Sequence, residues 1–201
     1  MITVSRSASR YARVAALATW FVAAVANAHP HVWIKYAAAV QMRGASVVAI
    51  VETWRFTAGF PVQLAGVDSL PDNGPVGPEQ TKLFREQAFQ SLAGAHYFNH
   101  LFVDGKPQPF RDPTDFRVSM VDGKIQYEFK LAVSPPVSVT GHQVDLGIWD
   151  DSFFVDYEPE SANAVRLVGG PAAACTAKPF ADRAHPIFGG IVIPQSTALS
   201  C

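Results

Sequence analysis

Cysteine is scarce in this chain of 201 residues: there are two, Cys175 and Cys201, both in the last quarter. Two thiols so placed cannot build a disulfide framework. Neither has a His or Cys at the close spacing of a soft-metal site, so paired metal ligation there is the weaker alternative. A single bridge across a tail rich in Pro, Ala and Gly remains, and an oxidising compartment would let it form. Charge is also thin. Sixteen basic side chains stand against 17 acidic ones, with no basic stripe to hold nucleic acid. The apolar run Val14 to Ala26 falls short of the ~20 residues a spanning helix needs. Ser-His-Asp order, nucleophile elbow, phosphate loop and dinucleotide fingerprint are all missing, so no motif suggests an enzyme. Asp68 to Glu79 has the length of a calcium loop, but Leu70 takes its third position and Asn73 the place of the required glycine.

The N-terminus is informative. Arg6, Arg10 and Arg13 precede the apolar run, and Ala26-Asn27-Ala28 follows it as a small-residue cleavage site. This is the order of a secretory signal peptide. Residues 1–28 are therefore expected to be removed, leaving 29–201 as one periplasmic domain with no membrane span. Losing three arginines and no acid leaves the mature chain net acidic.

The remainder alternates with the period of strands. Ile125, Tyr127, Phe129, Leu131 and Val133 share one face, as do Val48, Ile50, Trp54 and Phe56, and again Val144, Leu146 and Ile148. Val-Asp-Gly-Lys occurs twice, at 103–106 and 121–124, and Asp-Gly suits tight hairpins. Pro78 to Leu92 alone has helical spacing, with Pro near its start and Gly94 just past its end. Ala58 to Gly77 reads as a long surface connection. From about residue 159 the periodicity fades, which predicts a loosely structured tail. The fold expected is mainly β: an antiparallel, sandwich-like single domain with one inserted amphipathic helix.

Cleavage after Ala28 would give His29 a free α-amine beside its own imidazole, able to close a chelate ring. His31, two residues on in an extended segment, projects to the same face. Three nitrogen donors suit zinc, nickel, cobalt or copper rather than magnesium or calcium. Pro30 has no N–H to give as a deprotonated amide, which disfavours square-planar wrapping and favours zinc. Two carboxylates stand where core residues belong: Asp150 continues the face of Val144, Leu146 and Ile148, and Glu52 lies between Ile50 and Trp54. A buried carboxylate is normally paired, bonded or metal-bound, so His29, His31, Asp150 and Glu52 form the candidate metal set. An ion pair of Glu52 with Lys35 or Arg55, or a solvated turn at Asp150 and Asp151, are the structural alternatives. His96, His100, His142 and His185 read as surface histidines.

The words Ala28-His29-Pro30-His31-Val32-Trp33-Ile34, Trp54-Arg55-Phe56, Tyr97-Phe98 with Val103-Asp104-Gly105, and Ile148 to Val155 resemble domain-of-unknown-function family 1007 over nearly the whole mature chain. The resemblance implies an exported periplasmic component of a transport system, in some members a zinc-binding partner of an inner-membrane nickel/cobalt-type permease. It carries over to His29, His31 and Asp150, while Glu52 rests on strand position alone. Thr57 and Ala58 stand where the family commonly has acids. The expected function is binding of a divalent transition metal, zinc first, for such a permease. The rival from another class is a copper enzyme with an N-terminal histidine brace. A two-lobed solute receptor would need a longer chain.

Overall fold

The computed structural model describes residues 30–60, 63–169 and 175–201. The signal-peptide reading and His29 lie outside the described residues.

The chain begins as a long hairpin. β1 (Val32–Arg43) and β2 (Ser46–Ala58) pair antiparallel. Along β1 every second residue from Val32 to Met42 is buried, which is the half-buried pattern of a strand on a core. In β2 the alternation slips once. A register shift between Val47 and Ala49 puts Val47, Ala49 and Ile50 inside and leaves Val48 only half-buried. Val48 was expected on the core face; the bulge carries it to the other side.

A two-residue strand, β3 (Gly74–Pro75), precedes helix α1 (Pro78–Gln87). The helix expected to reach Leu92 ends sooner, at Ala88 (φ −125°), and a 3-10 segment, Phe89–Phe98, follows. The cause is packing. Phe84 and Phe89 are both buried, yet five residues apart on an unbroken α-helix they would point ~140° away from each other. The kink lets both reach the core. The 3-10 segment ends in three consecutive left-handed residues, His96, Tyr97 and Phe98.

β4 (Asn99–Val103) and β5 (Lys106–Gln108) form one expected hairpin, and β6 (Thr114–Val121) and β7 (Lys124–Ser138) the other. Asp104-Gly105 and Asp122-Gly123 occupy the turns with positive φ at all four residues, the mirror-image geometry that matches strand twist. β8 (Val144–Ile148) is buried at every position. The tail is not loose. After β9 (Val155–Pro159) it forms β10 (Val165–Val168), β11 (Thr176–Ala181) and β12 (Gln195–Ser200), corrected from expectation because main-chain pairing with β1 and β8 orders residues whose side chains show no periodicity.

Two sheets result. The larger runs β10-β1-β2-β7-β6-β3, with β9 also on β1; the smaller runs β11-β12-β8-β4-β5. This bears out the mainly β, sandwich-like fold. One edge departs from the antiparallel rule: β9 and then β10 pair parallel to successive stretches of β1. Cys175 and Cys201 are joined by a disulfide, tying the start of β11 to the end of β12 as expected for the tail.

Among the described residues no helix is long and apolar enough to cross a membrane.

Candidate functional site

His31 stands immediately before β1, held by parallel pairing. Its backbone N–H donates to the carbonyl of Phe154 (2.9 Å), and Val32 N–H reaches the same oxygen (3.2 Å). The His31 ring rests beside that of Phe154, with centroids 4.9 Å apart. The backbone at His31 is thus tied to the residue just before β9, and its exposed ring has Phe154 on one side. Beyond it, Trp33 lies opposite Asp156, whose carboxyl is raised above its ordinary range by desolvation and by nearby Glu158.

Asp150 belongs to the turn that delivers Phe154. Its Oδ1 accepts from the N–H (2.9 Å) and hydroxyl (2.8 Å) of Ser152, and Oδ2 accepts from Val155 N–H (3.0 Å). The carbonyl of Asp150 accepts from Phe153 N–H, and Phe153 takes a left-handed φ. Asx residues favour such turns because the side chain replaces a backbone acceptor. Three of about four carboxylate acceptor positions are therefore spent within the turn. His31 and Asp150 meet at one junction, through Phe154, but Asp150's carboxylate is engaged in holding the backbone.

Glu52 is elsewhere. It pairs with Ala38 on one side and Phe129 on the other, seven residues along β1 from His31, or roughly 23 Å at strand rise. These two cannot share an ion. Glu52 is fully buried, accepts one hydrogen bond from Trp54 Nε1 (3.1 Å) at Oε2, and leaves Oε1 without a partner. Desolvation raises its pKa to about 8, only partly opposed by the Trp54 bond, so the carboxyl is largely protonated at neutral pH. Burial pushes up the hydroxyls of Tyr36 and Tyr157; Glu52 adds to this at Tyr36, and Asp150 and then Glu52 at Tyr157. No ion pair with Lys35 or Arg55 forms; Arg55 pairs instead with Glu160.

A second polar group was not foreseen. His185 donates from Nδ1 to Asp182 (3.0 Å), which is 2 % exposed and also accepts from Ser196 Oγ (2.8 Å) and the N–H of Ala184 (3.1 Å). Burial alone would raise Asp182; the bonds from His185, Ser196 and Ala184 bring it below its ordinary value. The His185 ring stacks on Phe102 (4.1 Å), and His100 stacks on Trp149 (4.3 Å) while its Nε2 donates to the Trp149 carbonyl (3.1 Å). Desolvation lowers the pKa of His100, and that bond partly restores it. Trp149 lies across Gly147, where an added Cβ would come within 1.7 Å of the indole. His100 and His185 are thus parts of a ring cluster on the outer face of the smaller sheet. The only hint in sequence was Asp182 three residues before His185, the spacing of a side-chain-capped turn. Among the described residues, no three His, Cys, Asp or Glu side chains gather as a metal-ion site.

A two-sheet β domain with a backbone-anchored histidine just before its first strand defines the class. Within it, the family described as protein of unknown function (DUF1007) matches residues 14–184, and the chain belongs to that family. No curated protein matches the chain.

Proposed function

We propose that the protein binds a divalent transition metal in the periplasm, zinc first with nickel, cobalt or copper as alternatives, and exchanges it with an inner-membrane nickel/cobalt-type permease. The metal is cargo rather than a resident cofactor. The observation that carries this reading is the anchoring of His31: backbone pairing to Phe154 and ring contact with it hold a histidine at the surface two residues after the expected new N-terminus. Its partners in the chelate are the His29 imidazole and α-amine, which exist together only if cleavage follows Ala28. A chelate built by a chain terminus and one fixed side chain is open on its outer side, as transfer to another protein requires.

The ligand set is narrower than the sequence suggested. Glu52 is too distant, and Asp150 acts by holding the turn that presents Phe154 to His31. Water or a group of the permease supplies the remaining position, suiting a carrier better than a closed structural site.

Zinc titration of the processed protein, its N-terminus fixed by mass spectrometry, tests the proposal. Zinc binding should weaken as pH falls through the range where imidazoles and the α-amine take up protons, with reference values of about 6.5 and 7.7–8.0. One residue inserted before His29 should reduce affinity sharply, and His31→Ala should do so where His142→Ala does not. Unchanged affinity in both the extended protein and His31→Ala would rule out this chelate. Copper-dependent turnover of a reductant with negligible zinc affinity would favour the brace enzyme instead.

A further inference from the structure

A cavity of about 110 Å³ lies between the inner face of the larger sheet and the helical layer. Its sheet-side wall includes Ile34, Trp54, Phe56 and Tyr127; Leu92 and Phe98 close it from the helical side. Val32 and Val155 complete it beside the junction that holds His31. The smaller sheet does not cover this part of the larger one, and the kinked helical layer does so incompletely.

The chemistry of the walls is almost uniform. The hydroxyls of Tyr127 and Tyr157 are buried and have no hydrogen-bond partner; apart from them the lining rings present carbon. The two polar side chains at the rim are already engaged: Gln87 bonds both ways with the backbone of Ala65 (2.8 and 2.9 Å), and Ser91 donates to the Ala88 carbonyl (2.6 Å). A charged guest would lose its hydration without replacement, since no charged side chain lines the cavity. An apolar guest, in contrast, gives up little on entering such walls; a somewhat larger engineered apolar cavity takes up benzene.

We infer that this cavity is a binding site for a small, uncharged, single-ring aromatic molecule, separate from the metal chelate. Ring edges and faces from Trp54, Phe56, Phe60, Phe98 and Tyr127 match such a guest better than a linear chain, since aromatic pairs gain from offset and edge-to-face geometry. Occupancy would brace the β1–β9 junction.

The test uses the purified protein in chelator, so that metal binding plays no part. Toluene is the probe and benzoate the charged control. At tenfold excess over its dissociation constant, toluene should raise Tm by about 3–5 °C and shift the methyl resonances of Val32, Ile34, Leu92 and Val155; benzoate should do neither. Ala88→Leu and Ser91→Leu place a side chain in the cavity and should each weaken toluene binding at least tenfold while still unfolding cooperatively. If neither variant folds, the methyl map decides: shifts confined to those four residues support the site, and shifts elsewhere overturn it. Absence of shifts up to the solubility limit of toluene, equal binding of benzoate, or undiminished binding in both filled variants would also overturn it.

Discussion

Asp150 and Glu52 both interrupt an apolar strand face with a carboxyl group, and the protein accommodates them in opposite ways. Asp150 sits where β8 ends, and the chain folds around it, so that backbone and hydroxyl donors occupy both oxygens. Glu52 sits in mid-strand, where every backbone donor is already committed to a ladder, and one oxygen goes without a partner. Turn backbone can come to a carboxylate; sheet backbone cannot. The first group has both oxygens hydrogen-bonded. The second avoids the cost of a buried charge by keeping its proton.

The largest effect should come from Glu52. In the unfolded chain it titrates near the ordinary value of 4.5, in the folded one at about 8. Below the lower value both states hold the proton. Between the two only the folded state does, so the contribution falls as pH rises across that window and levels off above about 8. Urea unfolding of the parent and Glu52→Gln at pH 5 and pH 8 should show the parent losing roughly 3 kcal/mol more than the variant over this interval. A constant difference between the two proteins would mean that Glu52 is ionised when buried and erase the contrast.

Asp150→Ala should come next. It leaves the buried Val155 N–H without its acceptor and loosens the turn, for a loss of about 2–3 kcal/mol at pH 7, and amide exchange at Val155 and His31 should quicken. If exchange there is unaffected, the turn does not depend on this side chain. Asp182 is intermediate, buried but matched by His185 and Ser196. Asp182→Ala should cost about 1–2 kcal/mol, and the parent should lose that contribution as pH falls through the carboxylate range, because the folded state holds Asp182 below its ordinary value. The smallest effect belongs to Asp104, which bonds to His142 at 2.7 Å on the exposed surface. Its carboxyl too is lowered, first by that bond, yet Asp104→Asn should leave unfolding midpoints unchanged within error, since exposed pairs are screened.

Reduction of the Cys175–Cys201 bridge probes the tail in the same spirit. The chain-entropy model assigns a loop of this length about 3 kcal/mol. Loss of β11 with survival of the larger sheet, followed by amide exchange, would show that the bridge holds the smaller sheet's edge rather than the junction at His31.

What sequence made legible follows from distance along the chain. Period-two alternation at 125–133 and 144–148 and the two Asp-Gly hairpins depend on neighbours a few residues away. Those readings held because a strand's two faces are fixed by the pleat. The identity of Asp150 and Glu52 as misplaced carboxylates was equally local. Their fates were not. Whether a buried carboxylate finds donors depends on which backbone is still uncommitted when the sheets close, as do the slip that turns Val48 outward and the break that admits both Phe84 and Phe89 to the core. The tail escaped periodicity because its order comes from main-chain hydrogen bonds to β1 and β8, to which side-chain pattern contributes little. His185 gained its partner from a fold that brings Asp182 and Ser196 together. Sequence by itself determined the strands, the turns and the candidate chelate at the start of β1; only tertiary structure decided that Glu52 lies roughly 23 Å from it, since strand register sets that separation and register is a property of the assembled sheet.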